Sequence, residues 1–488
     1  VSPHAPRPKP MRSLLVLSMA AATFALAQST LIPALTTLQE EFGTDAAGVA
    51  WVLTGYLVTA AVFTPIMGRL GDMFGKRRLL VISLVAFAAG SALSALGSTL
   101  EVVVAGRVLQ GVAGGVFPLC FGIIRDEFPR EKVPSSIGLI ASIAGIGGGI
   151  GIVGGGLLVD QASYHWIFWV AAALAVVSAV GAQLLVPESP VRSPGKVDLR
   201  GAAILSVGLV LPLFAVSRAT TWGWTDSRLV ALVLAGLAVL AVWYRVEART
   251  AQPLADVETL RSPPILMTNV ATFLVGFGMF GSFILVPQLA QSPESSGYGF
   301  GLDATQAGLL LLPGSLSMLV TGPFAGALAG RVGPRVPLVI GGALSTLGLV
   351  LLGVAHGSEL QVLLFGCVLF TGIGFAFAAM PNLIVAAVRP DQTGEATGFN
   401  ALVRSAGASL GSQAAASILA GSALAGTVVP QESGFTTAFL VMGGVAAVAT
   451  AVSCVIPEPG RSRAGVGLAE ELAATAPLAE RPATLSRA

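Results

Sequence analysis

The chain has 488 residues, of which 54% are hydrophobic and 11% charged, with a formal net charge of +2. Soluble domains are about a quarter charged, so this composition excludes an ordinary soluble enzyme, and nothing in the charge balance calls for a nucleic-acid partner. Apolar runs of roughly 18 to 25 residues recur along most of the chain, and only a bilayer stabilises so many, because each helix there satisfies its own backbone.

The first run follows Arg7, Lys9 and Arg12. It is too long for the core of a signal peptide and has no clear cleavage site, so it reads as a helix that stays in the membrane. Met11 is an alternative start. Fourteen spans are predicted: near 13–36, 49–68, 79–97, 101–124, 136–158, 165–186, 200–217, 228–244, 265–288, 304–328, 336–355, 360–381, 396–420 and 435–456. With the N-terminus inside, 23 of the 27 Lys and Arg fall in tails and inner loops, while Arg218 and Arg228 fall outside and Arg107 and Arg404 lie within spans. That asymmetry predicts a multi-pass protein of the inner cell membrane with both termini cytoplasmic. The three cysteines, Cys120, Cys367 and Cys454, sit in or beside apolar runs with no paired spacing, and His4, His165 and His356 are scattered. Neither a metal site nor a cofactor is predicted.

Gly68 to Arg78 reads GRLGDMFGKRR, the densest charge in the first half of the chain. It falls at an inner turn between the second and third spans. A second stretch, GALAGRVGPRVPLVI at 326–340, aligns with GRLGDMFGKRRLLVI at 68–82. Gly326 meets Gly68, Gly333 meets Gly75 and Gly330 stands where Asp72 does. A parallel repeat of this kind builds two-bundle transporters, and its offset is long enough to admit two extra helices between six and six. The predicted division is a tail at 1–12, a bundle at 13–186, two linker helices within 187–264, a second bundle at 265–456, and a disordered tail at 457–488.

Arg107 to Gly111 reads RVLQG and Gly147 to Gly156 reads GGGIGIVGGG. With GRLGDMFGKRR, these stretches resemble three ordered motifs of the major facilitator superfamily, and fourteen spans point to its fourteen-helix drug:proton antiporter branch. The resemblance implies an all-α membrane fold of two six-helix bundles plus two linker helices. It also implies a conformational latch built from Gly68, Asp72, Gly75, Lys76 and Arg77, with Arg125 and Asp126 completing the charge network. The latch would close on a helix whose N-terminus lies near Gly394 to Thr397, where a carboxylate gains from the helix dipole. An ordinary topogenic basic loop is the competing reading.

Arg107 is costly in a span, so it should face the interior, with Gln110 on the same face. The resemblance gives it a coupling role; snorkelling toward the outer interface is the alternative. Gly147, Gly151 and Gly155 form a double G-x-x-x-G line that favours close helix contact, which the resemblance places at the bundle interface as a gate. Ile152 replaces the motif's proline. Arg404 shares an interior polar stripe with Asn400. Candidate substrate contacts are Gln28, Tyr56, Asn269, Phe273, Phe280, Phe370, Phe377 and Asn400.

The reading is an exporter of lipophilic small molecules by alternating access, with protons as the coupling ion inherited from the resemblance, working as a monomer in the lipid bilayer. No acid lies deep in a span. Asp72 and Asp126 inside, with Asp160, Asp303 and Glu101 outside, are the remaining candidates for a titrating group. A facilitator or symporter of a specific metabolite is the alternative within transport. A membrane enzyme or a non-transporting sensor is the alternative outside it.

Overall fold

The computed structural model describes residues 10–44, 46–192, 198–250, 253, 256–423 and 429–457. The expected tails lie outside these residues, apart from a few at their inner edges. Among the described residues fourteen long helices follow one another. They are α1 (Pro10–Ser29), α2 (Ala46–Phe74), α3 (Lys76–Leu96), α4 (Leu100–Glu127), α5 (Val133–Gln161), α6 (Tyr164–Leu185) and α7 (Leu199–Ser217). Then come α8 (Ser227–Glu247), α9 (Pro263–Gln291), α10 (Ala304–Val332), α11 (Arg335–Val354), α12 (Glu359–Ala387), α13 (Thr393–Gly421) and α14 (Glu432–Val455). Among the described residues, twelve helices are long and apolar enough to cross a membrane. The two outside that set, α5 and α13, are 29 residues each; α13 carries Asn400, Arg404 and Gln413, which lower its mean hydropathy.

Local chemistry sets several starts. Ser163, Asp198, Asp226 and Ser358 accept backbone N–H groups at the N-termini of α6, α7, α8 and α12. Asp303 and Gln306 form a reciprocal capping box at α10.

Helices α1 to α6 pack as one bundle and α9 to α14 as another. The bundles meet along two seams, α5 against α10 and α2 against α13. The hairpin of α7 and α8 lies over the second seam, where Leu205, Leu209 and Trp243 pack with Ala61 and Val62 of α2 and Leu402 of α13.

The repeat seen in sequence has a geometric counterpart. Gly75 and Gly333 both carry positive φ, +110° and +93°, at the two equivalent turns. Only glycine takes that conformation without strain. Gly68 of α2 lies against the backbone of Gly394 at the start of α13, and Gly326 of α10 lies against that of Pro134 at the start of α5. The two seams are therefore related copies of one contact.

Some expectations need correction. The polar stretch 69–78 is not a loop: α2 runs on to Phe74 and α3 begins at Lys76, so the turn is Gly75 alone. The first span reaches Ala34 as expected, but its α-helix ends at Ser29, and Ile32–Ala34 and Leu35–Glu41 follow as short helices. The fourth span is interrupted by a 3-10 segment at Val112–Gly115, whose neighbouring glycines let it approach α2. A short helix, Val257–Arg261, capped by Asp256, stands in the linker before α9.

The glycine line of α5 points elsewhere than expected. Gly147, Gly151 and Gly155 face Ala25, Ser29 and Thr30, on and just beyond α1 within the first bundle. The bundle interface is made instead by Gly138, against Gly322, and Gly145, against Met318. All five glycines belong to one helix, and the motif glycines lie on the face turned toward α1. The side chains of Ile152 and Asp160 lie outside the description.

Candidate functional site

The charged residues of the signature stretch converge where α2, α4 and α13 meet, on the face that carries the basic turns. Asp72 and Lys76 are fully buried, one turn apart across Gly75. The Lys76 ammonium lies 3.2 Å from Asp72 Oδ1 and 2.7 Å from Asp126 Oδ2. Asp72 Oδ2 accepts the Glu395 N–H at 3.0 Å, in the first turn of α13. A carboxylate there meets an unsatisfied donor and the positive end of the helix dipole. This bond crosses from one bundle to the other.

Three further interactions extend the crossing. Arg69 donates to Glu395 Oε2 at 3.3 Å. Arg125 donates to Val388 O (2.7 Å), Arg389 O (3.1 Å) and Thr393 Oγ1 (2.6 Å), gripping the turn into α13. At the related seam Asn382 donates to Pro134 O at 3.1 Å. The cluster is charge-balanced: Arg69, Lys76 and Arg125 stand against Asp72, Asp126 and Glu395. A buried cluster of this kind is held by mutual pairing, because each charge alone would carry its full desolvation cost.

The cluster also reaches the chain outside the bundles. Glu188, after α6, accepts the backbone N–H groups of Arg77 and Arg78 at the start of α3 and lies 3.6 Å from the Arg77 guanidinium. Ser189 donates to Asp126. Glu395 Oε1 accepts the Asp256 N–H at 2.5 Å, and Gln392 donates to Asp256 Oδ2 at 3.0 Å. Partial burial raises the affinity of Asp256 for a proton, but hydrogen bonds from Thr259, Gln392 and Glu258 outweigh it and hold the carboxyl below its ordinary range. Sequence reasoning missed Arg69, Glu188, Glu395 and Asp256. An acid in the first turn of a helix is too common to stand out, and Glu188 acts across more than a hundred residues.

A cleft of about 680 Å3 opens beside the cluster, lined by Arg125, Asp126, Arg130, Pro134, Asn382 and Pro390 from both bundles.

Deeper in the first bundle, Arg107 is 1% exposed. Its Nε donates to Val52 O at 3.1 Å, and one terminal nitrogen to Ala27 O (3.2 Å) and Gln110 Oε1 (2.7 Å). Its guanidinium lies 4.1 Å over the Tyr56 ring, and Gln110 passes the chain on to Ser91 at 2.6 Å. These contacts are interior, which removes the snorkelling alternative. Tyr56 is also bonded to Phe24 O (3.3 Å) and joined by Gln28.

In the second bundle Asn400 donates to Asn269 (2.8 Å) and Thr272 (2.9 Å), tying α13 to α9. Arg404 lies 4.8 Å over Phe377 of α12. Phe280 and Phe370 both contact Phe283 in an aromatic cluster. Phe273 and Asn269 line a separate groove of about 420 Å3 with Trp243, Leu260 and Phe399, under the linker hairpin. The candidate substrate residues thus fall in four places: beside Arg107, beside Arg404, in the aromatic cluster around Phe283 and under the hairpin.

The profile of the Major Facilitator Superfamily matches residues 17–412. The chain belongs to this superfamily of transporters. It is similar to the tetracenomycin C resistance and export protein of Streptomyces glaucescens, 28% identical over 412 residues that cover 83% of this chain and 75% of that one. It is 30% identical over 390 residues to a multidrug resistance protein B homolog of Mycobacterium tuberculosis, covering 77% and 70%. Multidrug resistance protein 3 of Bacillus subtilis is 26% identical over 366 residues, covering 74% and 70%. The solved structure of the human organic anion transporter MFSD10 superposes with a TM-score of 0.65 over 92% of this chain and all of that one; at 17% identity it shows the fold alone.

Proposed function

We propose that the protein exports lipophilic small molecules across the cell membrane by alternating access, driven by proton antiport. All fourteen long helices are taken as spans in this reading, six plus two plus six, with the basic turns and both termini in the cytoplasm. The observation that carries it is the buried bond from Asp72 to the N-terminus of α13, flanked by Arg69–Glu395 and by Arg125 on Thr393. These contacts fasten the two bundles on the face of the basic turns, as an alternating machine requires. The names of the relatives supply the direction and the cargo class.

Proton coupling rests on the same cluster. Asp72, Asp126 and Glu395 are buried carboxylates at the seam. Neutralising Asp72 removes the charge that Lys76 and the α13 dipole hold, and so loosens the fastened face. In proteoliposomes, substrate addition should release protons, and an imposed pH gradient should drive efflux of dyes and drugs. Transport indifferent to the gradient would sink antiport. Arg107→Ala should abolish that efflux with insertion intact, since it removes the guanidinium that ties Ala27 of α1 and Val52 of α2 to Gln110; unchanged efflux would remove Arg107 from the cycle.

A further inference from the structure

The interior holds two arginines, and they are treated differently. Arg107 is enclosed by carbonyl oxygens, Gln110 and Tyr56. Arg404 has no hydrogen bond and no ion pair to any described residue. It stands eleven residues into the 29-residue α13, roughly 16 Å along its axis at 1.5 Å per residue, which is close to mid-depth.

Its surroundings do not supply a counter-charge. Asn400, one turn earlier, spends its amide on Asn269 and Thr272. Gly276 of α9 packs against the backbone and stem of Arg404, and the guanidinium lies over Phe377, itself 2% exposed. Arg404 therefore points toward the protein interior, not the lipid. The residue as a whole is only partly exposed, so the charge is held largely out of solvent. Among the described residues every acid lies in a loop or near a helix end, and the buried ones at the seam are engaged with Lys76, Arg69 and the α13 terminus. A guanidinium at mid-membrane depth is expensive unless something pairs with it.

We propose that Arg404 is the anion-recognising contact of the transport pathway, and that the cargo is an aromatic organic anion, with a carboxylate, sulfonate or ionised phenol on Arg404 and a flat apolar body beside Phe377. The planar guanidinium fork matches such a group in two hydrogen bonds. This rests on the export reading and narrows its cargo.

The test compares two xanthene dyes of similar shape: fluorescein, an anion, and rhodamine 6G, an esterified cation. Anisotropy is read on the full chain in phosphatidylcholine nanodiscs, with empty nanodiscs as blank. Fluorescein should bind at least about tenfold more tightly, equivalent to ~1.4 kcal/mol. Arg404→Ala should erase that preference, and Arg404→Lys should keep part of it. Removing an unpaired interior charge should leave the melting temperature of Arg404→Ala unchanged or higher; a lower one, with both dyes lost, assigns Arg404 to packing and overturns the proposal. Equal binding of the dyes, preference for rhodamine 6G, binding of neither, or a preference that survives Arg404→Ala also overturns it. Each leaves export standing if the pH gradient still drives efflux in proteoliposomes; export itself falls only when that flux is missing.

Discussion

Lys76→Met should be the most destabilising single change in the cluster, costing about 3–5 kcal/mol, the usual penalty for breaking a buried ion pair by removing one partner. Lys76 is fully buried between Asp72 and Asp126, 3.2 and 2.7 Å away. Without it two carboxylates face each other in a dry site, and at least one must take up a proton. Asp72→Asn is a milder change for the fold. Asparagine still offers an oxygen to the Glu395 N–H, and Lys76 keeps Asp126 and its ammonium stays paired. The two variants should therefore separate: both impair transport, but only Lys76→Met loses much stability. Adding Asp126→Asn to Lys76→Met should restore part of the loss, since sites in one network are not additive. Melting of the three proteins in nanodiscs decides it. If Lys76→Met melts like wild type, the ammonium is not holding the cluster.

That ranking differs from the one the sequence suggests. In sequence Lys76 is one of three consecutive bases, and the positive-inside rule accounts for all three alike. Only packing distinguishes them: Lys76 is buried, Arg77 pairs with Glu188, and Arg78 is exposed. The helices themselves were legible because long apolar runs leave a bilayer-spanning helix as the stable choice. The repeat was legible because both copies need glycine at the same turn. Helix ends were less so, since Arg69 and Asp72 interrupt the apolar pattern while α2 continues to Phe74. The partner of a glycine line was not legible at all. G-x-x-x-G announces close approach but not to which helix, and α5 presents one glycine face to α1 and another to α10. Glu395 was hidden for a related reason: its partners Arg69 and Asp256 come from distant segments.

Gly68→Ala should hold the basic face open. A methyl on Gly68 would fall well inside contact distance of Gly394 O, and one on Gly394 would meet Gly68 O in the same way. Both obstacles are backbone, so no side chain can swing aside. Overpacking of this sort costs typically about 1–3 kcal/mol. The cost applies only while α2 and α13 are in contact, and vanishes when the bundles part. The closed-to-open ratio should then fall by about 5- to 150-fold, the factor that such an energy implies. Gly326→Ala should act alike through Pro134 O at the other seam. Gly330→Ala serves as the control, because its methyl would meet Pro134 Cγ at an ordinary 3.4 Å. Spin labels at Arg130 and Arg331, exposed at the basic ends of α4 and α10, report the separation on a background lacking Cys367 and Cys454. Gly68→Ala and Gly326→Ala should lengthen the distance and Gly330→Ala should not. Distances that stay put in the first two would show that the bundles do not hinge at these seams, and alternating access would need a different closing contact.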